Sequence, residues 1–424
     1  MTDPLKDRSI ILGVTGSIAA YKALDVASRL IQAGAAVDVI LTRAACELVT
    51  PLSFQALTHR PVVSDMWKPT GTMALDHVTM GRAADLLLVA PITADTIARL
   101  ALGRADDALA ATALAARAPM LLAPAMEPRM WAHPATQQNV ATLIERGATV
   151  IGPDAGRMAS GESGIGRLAA PERIVDGARW LLSRAGPWAG RHVLVTAGPT
   201  REPIDPVRYL SNHSSGKMGL ALATAARNRG AAVTLIRGPV DMPDIAGVTV
   251  VPVETADQMR DRVVALLGGV QAVVMAAAVA DYRPTEPARR KIKKTDQHSV
   301  LALTRTPDIL SELRSAARAL DPPPVLVGFA AETDDLVANA RAKLRAKGLD
   351  FIVANAVPQS FGADEASVIL VDDQSAIEIA NRAKGEIAEA VLDRVEALWQ
   401  RAEPDGRSTA ALPGGRGTLR GVEP

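Results

Sequence analysis

Twice along the chain a continuous apolar run stops at a glycine and leads into a helix-forming stretch. Ile10-Ile-Leu-Gly-Val-Thr15 runs into Gly16-Ser17, and His192-Val-Leu-Val-Thr196 breaks at Gly198-Pro199. The helices that follow reach about Ala33 in the first case and span Met218 to Arg229 in the second. After each, the tetrapeptide Gly-Ala-Ala-Val opens the next strand, at Gly34–Val37 and Gly230–Val233. Apolar runs without alternation suit strands buried on both faces, as in parallel sheets covered by helices. Asp85-Leu-Leu-Leu-Val-Ala90 and Met120-Leu-Leu-Ala123, each ended by proline, have this form, and further strands are expected at Ala272–Ala276, Val325–Gly328, Phe351–Ala354 and Val368–Val371. Apolar residues make up 48% of the chain but aromatics only 3%, so the core is built from small and branched aliphatics that pack tightly between helix and sheet.

Right-handed crossovers turn this pattern into an α/β protein with two Rossmann-like, doubly wound parallel-sheet domains. The expected boundaries are 1–185 for the first domain, 186–190 for a Gly/Pro linker and 191–402 for the second domain. One long helix over about 376–401 should close the second domain. The tail 403–424 has no apolar period and is expected to be disordered. Residues 152–168, with Gly152, Gly156, Gly161, Gly164 and Gly166, are expected to form a long mobile loop.

Lys and Arg number 47 against 46 Asp and Glu, a net charge of +1, so nothing points to a nucleic-acid partner. A single cysteine, Cys46, excludes an internal disulfide and a Cys-rich metal site, and is expected to be a small buried hydrophobe. The start Met1-Thr-Asp-Pro-Leu-Lys-Asp is too polar for a signal peptide, and no uncharged stretch is long enough for a bilayer. The expectation is a cytoplasmic protein without a membrane partner.

Ligands of doubly wound sheets bind at the carboxyl ends of the strands. The loop there in the second half, Thr196–Gly219, carries Arg201, Glu202, Asp205, Arg208, Asn212, His213, Ser214, Ser215 and Lys217 before the helix begins. A strand ending in a glycine turn before a helix is an anion site, because the first helical N–H groups lack partners. Lys343 and Lys347 stand i, i+4 on an expected helix and share one face. Amide formation from a carboxylate needs an activated acyl group, and a nucleoside triphosphate that supplies it needs cations around it.

With Ala276-Ala-Ala-Val-Ala-Asp-Tyr282, Lys291-Ile-Lys-Lys294, Thr306-Pro-Asp-Ile309 and Gly328-Phe-Ala-Ala-Glu-Thr333, this loop makes residues 190–400 closely resemble the phosphopantothenate–cysteine ligases of coenzyme A biosynthesis. The resemblance implies CTP as co-substrate, with Asp281, Lys291, Thr306, Pro307, Asp308, Ile309, Phe329, Lys343 and Lys347 around it. It matches Asn212 to the asparagine that handles the acyl-cytidylate intermediate, and Lys291 to a catalytic lysine. Arg208 would pair with a substrate phosphate or carboxylate. Mg²⁺ should accompany the phosphates; its ligands stay unassigned, with Asp281 a candidate.

Residues 8–180 resemble the flavin-dependent cysteine decarboxylases, through Gly16-Ser17-Ile-Ala-Ala-Tyr-Lys22, Thr50-Pro-Leu-Ser53, His77, Ala90-Pro-Ile-Thr-Ala-Asp95, Pro124–Trp131 and Gly164-Ile-Gly-Arg167. That family has a flavodoxin-like flavoprotein domain. The resemblance implies FMN, its phosphate near Gly16 and Ser17, with Thr42, Ser53 and Thr93 nearby and His77 as the base. Two positions depart from the family pattern. Glu127 stands where the family has Asn; an ionised carboxylate there would repel the substrate carboxylate that an amide would bind. Ser160 stands where the family has the cysteine thought to protonate the product, and a hydroxyl is a far weaker acid than a thiol of pKa about 8.5.

Two functional readings follow. In the first, the chain ligates 4′-phosphopantothenate to cysteine and then decarboxylates the product to 4′-phosphopantetheine. In the second, a working ligase is fused to a flavin-binding scaffold that no longer decarboxylates. The resemblance also implies a homo-oligomer. A nicotinamide dehydrogenase would fit the fold alone, but the Gly-x-Gly-x-x-Gly loop is missing.

Overall fold

The structure, a computed structural model, describes residues 3–67, 76–158, 161–293, 300–332, 335–356 and 364–402, and of residues 76, 77, 332 and 356 the backbone only. The tail 403–424 and Ser160 lie outside the described residues. The chain forms two compact units: Met1–Ala189 with Ala226–Ala231 and Met242–Thr249, and the remainder.

The first unit is built on strands β1 (Ser9–Val14), β2 (Ala36–Leu41), β3 (Val62–Val63), β4 (Leu86–Ile92), β5 (Met120–Pro124) and β6 (Thr149–Val150). They form one sheet in the order β3-β2-β1-β4-β5-β6, every pair parallel. Alternate residues of each strand serve opposite faces, and both faces are buried. Ile10, Leu12, Val14, Leu86 and Leu88 pack with Val26, Leu30, Ile174 and Leu181 on one side. Ile11, Leu87, Val89 and Leu122 pack with Ile97, Leu109, Val140 and Leu143 on the other. Each such buried aliphatic side chain contributes roughly 1.5–3 kcal/mol of transfer free energy, which is why the runs contain no polar alternation. Cys46 is half-buried against the first of these faces, and burial, reinforced by Glu47, pushes its thiol pKa up.

The glycine-rich stretch is not one long loop. It forms an antiparallel hairpin, β7 (Asp154–Arg157) with β8 (Ser163–Arg167). Two of its glycines, Gly164 and Gly166, serve close approach, whereas Gly161 has open space where a Cβ would go and a φ of +89°. A Cβ on Gly166 would lie 2.3 Å from the Met126 carbonyl oxygen, and one on Gly164 would lie 2.9 Å from Pro128. The Gly166 carbonyl accepts the Met126 N–H at 3.0 Å, so the hairpin is docked on the loop after β5.

The second unit contains β9 (His192–Ala197), β10 (Arg201–Pro203), β11 (Tyr209–Ser211), β12 (Ala232–Arg237), β13 (Val248–Pro252), β14 (Ala272–Met275), β15 (Tyr282–Pro284), β16 (Leu303–Arg305), β17 (Val325–Glu332), β18 (Phe351–Ala356), β19 (Glu365–Val371) and β20 (Ala376–Ala383). The main sheet has eight strands in the order β13-β12-β9-β14-β17-β18-β19-β20. From β12 to β18 the neighbours are parallel. β19 and β20 are antiparallel, so this sheet is not parallel throughout. The expected helix from Ala376 is likewise corrected: Ala376–Ala383 is a strand, and the helix is Lys384–Ala402. The cause is local. The Asp372 carboxylate accepts the N–H groups of Gln374 (2.8 Å) and Ser375 (2.6 Å), which closes a tight turn and sends the chain back along β19. No helix among the described residues is long and apolar enough to cross a membrane.

Candidate functional site

In the first unit the strand order reverses between β1 and β4, so a crevice opens beyond their carboxyl ends. Thr15 joins the two ends: its Oγ1 donates to the Pro91 carbonyl at 2.9 Å and accepts the Thr93 N–H at 3.0 Å. Around this knot several helical segments begin with a hydroxyl cap. Ser17 Oγ accepts the Ala19 N–H at 3.4 Å, Thr93 Oγ1 that of Thr96 at 3.4 Å, and Thr42 Oγ1 that of Ala45 at 3.3 Å. Gly16 allows the loops after β1 and β2 to touch, since a Cβ there would lie 2.5 Å from the Ala44 Cβ.

A cavity of about 680 Å³ lies at this crevice, lined in part by Gly16, Ser17, Thr93, Glu127, Arg157 and Arg167. That size suits a cofactor-scale ligand. The structure thus brings Gly16, Ser17, Thr93 and Glu127 to one cavity. Thr42 and Ser53 do not line the cavity. Thr42 opens the loop against which Gly16 packs, and Ser53 Oγ pairs with Thr50 Oγ1 at 2.9 Å. His77 lies in the first turn of the helix Asp76–Ala83, with its side chain outside the described residues. Arg157, which the sequence reading missed, reaches the cavity from β7 because that stretch is a docked hairpin.

Glu127 Oε2 accepts the N–H groups of Arg129 (2.8 Å) and Met130 (3.1 Å). Its Oε1 is buried without a hydrogen-bond partner among the described residues. The side chain therefore caps the turn Pro128–Ala132 as an acceptor, a role an asparagine oxygen could also fill.

In the second unit the order reverses between β9 and β14. The loop after β9 contains the hairpin β10–β11 and is stitched to the segment after β14. Asn212 Nδ2 donates to the Val279 carbonyl at 2.9 Å, and Ala280 N–H donates to Thr200 Oγ1 at 3.0 Å. Thr306 Oγ1 donates to the Ala280 carbonyl at 2.6 Å, and its N–H to the Asp281 carbonyl at 3.0 Å. Asn212, Asp281 and Thr306 thus fall on one hydrogen-bonded arc.

The arc continues through Pro307 to Asp308, which caps the helix Ile309–Ala317 by accepting the Ser311 N–H at 3.2 Å. Lys347 Nζ pairs with the Asp308 carboxylate and donates to Ser311 Oγ at 3.3 Å. Lys343, one turn earlier on the helix Leu336–Lys347, donates to the Phe329 carbonyl at 3.1 Å. Burial by itself would push the Asp308 carboxyl up; the Lys347 ammonium and Ser311 outweigh it and hold the carboxyl below its usual range. Ile309 is buried in the core, so the main chain is what it offers a ligand.

Lys291 is exposed. Arg208, expected to meet a substrate anion, rests on an internal carboxylate, with Nε 3.0 Å and Nη2 2.5 Å from Asp205 Oδ2. Asp205 was outside the predicted site set. Among the described residues no group of three or more His, Cys, Asp or Glu side chains is arranged to hold a metal ion.

Two family models match the chain: Flavoprotein over residues 2–182, and DNA/pantothenate metabolism flavoprotein C-terminal domain over residues 188–398. The coenzyme A biosynthesis bifunctional protein CoaBC of Bacillus subtilis (strain 168) is 44% identical over 401 residues, covering 93% of this chain and 98% of that protein. The protein of the same name from Mycobacterium tuberculosis (strain ATCC 25618 / H37Rv) is 49% identical over 363 residues, covering 82% of this chain and 86% of that protein. A crystal structure of the C-terminal domain of a coenzyme A biosynthesis bifunctional protein CoaBC is 38% identical, with a TM-score of 0.43, covering 50% of this chain and 97% of that one.

Proposed function

The chain belongs to the CoaBC family of bifunctional coenzyme A biosynthesis proteins, and from that membership we propose that it ligates 4′-phosphopantothenate to cysteine and decarboxylates the product to 4′-phosphopantetheine. The observation that supports this reading is the clustering of predicted site residues at the sheet reversal in each unit, where doubly wound folds bind ligands.

In the second unit the substrate carboxylate attacks the α-phosphate of CTP, which expels pyrophosphate and leaves an acyl-CMP. The cysteine amine then attacks the acyl carbon and releases CMP. Lys291, Lys343 and Lys347 offset the triphosphate charge; Mg²⁺ would add to this if held by the phosphates, with Asp281 the candidate protein ligand. Main-chain groups of Thr306 to Ile309, together with Phe329 and Asp281, border the nucleotide. Asn212 orients the mixed anhydride, and Arg208, its guanidinium fixed by Asp205, faces substrate anions.

The first-unit cavity fits FMN in size and in its hydroxyl caps. Ser17 and Thr93, with Gly16 giving the backbone close access, would hold it; Thr42 opens the loop against which Gly16 packs, and Ser53 is assigned to the cofactor by family membership alone. FMN supplies a reversible two-electron oxidation of the cysteine thiol, which makes loss of CO₂ feasible. His77 acts as base and Glu127 borders the substrate. A second reading, a flavin-binding scaffold without decarboxylation, is favoured by Glu127 and Ser160. The protein acts in the cytoplasm as a homo-oligomer.

The test is incubation of the purified chain with 4′-phosphopantothenate, CTP and cysteine, reading pyrophosphate and CO₂ separately. Both are expected, and the His77→Asn variant should release pyrophosphate alone. Pyrophosphate without CO₂ from the unmodified chain would select the scaffold reading; no pyrophosphate would refute the ligase. The purified protein should also be yellow, with about one FMN per chain bound at this cavity. An absorption spectrum lacking flavin bands after FMN is added would contradict the cofactor assignment.

A further inference from the structure

The Asp205 side chain is completely buried, yet it lies in a loop otherwise rich in exposed residues. Its two oxygens are used differently. Oδ1 accepts the N–H groups of Val207 (2.8 Å) and Arg208 (2.9 Å) and so closes the turn between β10 and β11. Oδ2 accepts from the Arg208 guanidinium and from the Ile292 N–H at 3.1 Å. Arg208 Nη2 returns a bond to the Ile292 carbonyl at 2.9 Å, so both main-chain groups of Ile292 are held. A further main-chain bond, Ala288 N–H to the Ile204 carbonyl at 2.9 Å, joins the same two segments. Ile292 directly follows Lys291, which has no carboxylate partner of its own among the described ion pairs.

We propose that Asp205 is a positioning residue for ligation: through Ile292 and Arg208 it anchors the segment that carries Lys291 against the loop that carries Asn212. The inference rests on the reading of Lys291 as a nucleotide-site cation. A long lysine stem on an untied segment would spread its charge over many positions. A main chain fixed on both sides of one peptide restricts that spread before the nucleotide arrives. The arginine hydrogen bonds hold the Asp205 carboxyl far below the usual carboxylate range, in spite of its burial, so the anchor persists as the pH falls.

Asp205→Asn separates the two oxygens' roles. The amide oxygen still closes the turn at Val207 and Arg208. The amide nitrogen is a donor and faces the donors of Arg208 and Ile292, so that half of the anchor is lost. In the full-length chain, kcat for phosphopantothenoylcysteine formation should fall about 10²-fold, as misplacement of a catalytic group by about an ångström does; the buried donor clash also lowers the melting temperature, so kcat is read well below it. In a Lys291→Gln background the same substitution should cost a clearly smaller fold-loss, because the part that acts through Lys291 is already gone and only the part through Arg208 remains.

Equal fold-losses in the two backgrounds, or an unchanged kcat for Asp205→Asn, would overturn the proposal. If Lys291→Gln is impaired and Asp205→Asn is not, only the role of Asp205 fails. If Lys291→Gln is itself unimpaired, the reading of Lys291 fails, and the route through it fails with it. A measurement on the unmodified chain covers the case of a variant that does not fold: the Ile292 amide should be protected from hydrogen exchange without ligand. Exchange at the rate of an open loop would overturn the anchor.

Discussion

Asn212→Asp is expected to lower the turnover of ligation about 10²–10³-fold, the usual cost of losing one donor aimed at a transition state, while CTP still binds near its original affinity. The structural basis is the Asn212 amide group: one Nδ2 hydrogen donates to the Val279 carbonyl and fixes the side chain against the segment after β14, which leaves the other for the reacting groups. An aspartate of the same shape has no hydrogen to donate there. It would set a carboxylate against a carbonyl oxygen and add a negative charge beside a carboxylate and a triphosphate that must approach each other. The lysines that offset the triphosphate belong to other elements, which is why binding should survive. Steady-state kcat and calorimetric CTP binding on the full chain separate the two effects. Near-normal turnover would make Asn212 a structural tie; loss of CTP binding in parallel would mean that the loop after β14 had moved.

What the sequence revealed and what it hid follow from the range of the forces involved. The central strands were legible because a strand buried on both faces tolerates almost no polar residue, so Leu86–Ala90 or Val193–Val195 reads as a strand from composition alone. The hairpins were not. β20 exposes most of its residues, and Ile377 is 50% exposed, so it lacks the burial pattern that announces a strand. Its partner is chosen by a turn at Asp372, which periodicity does not record. β7 and β8 were hidden by glycine itself, which marks either freedom or close approach. Only the atoms 2.3–2.9 Å from the missing Cβ positions decide between the two. The same limit applies to the sites. Glycine-to-helix turns and i, i+4 lysines are local and could be read directly. Asp205 could not, because its second partner, Ile292, lies 87 residues away.

Gly16→Val should weaken FMN binding by roughly ten- to hundredfold and reduce decarboxylation with it, while pyrophosphate release from ligation continues. The position a valine Cβ would take lies 2.5 Å from the Ala44 Cβ, with the Ala44 carbonyl carbon and oxygen at 3.2 and 3.3 Å. All three atoms belong to Ala44, whose side chain is a single methyl group, so main chain must move. β1 is paired on both sides and buried, and it resists displacement. The segment free to shift is the loop at Ser17, whose hydroxyl caps the turn at the cavity wall. Overpacking of this kind costs about 1–3 kcal/mol, and each 1.4 kcal/mol is about tenfold in affinity, so the site is lost before the fold is. Gly103→Asn is the matched control. Gly103 ends the helix Ala94–Leu102 with φ of 69° and open space where a Cβ would go, a conformation asparagine tolerates. Flavin absorbance retained after gel filtration should be normal for Gly103→Asn and nearly absent for Gly16→Val. Full retention in Gly16→Val would mean that the loop after β2 yields instead, and that the contact between the two loops does not shape the flavin site.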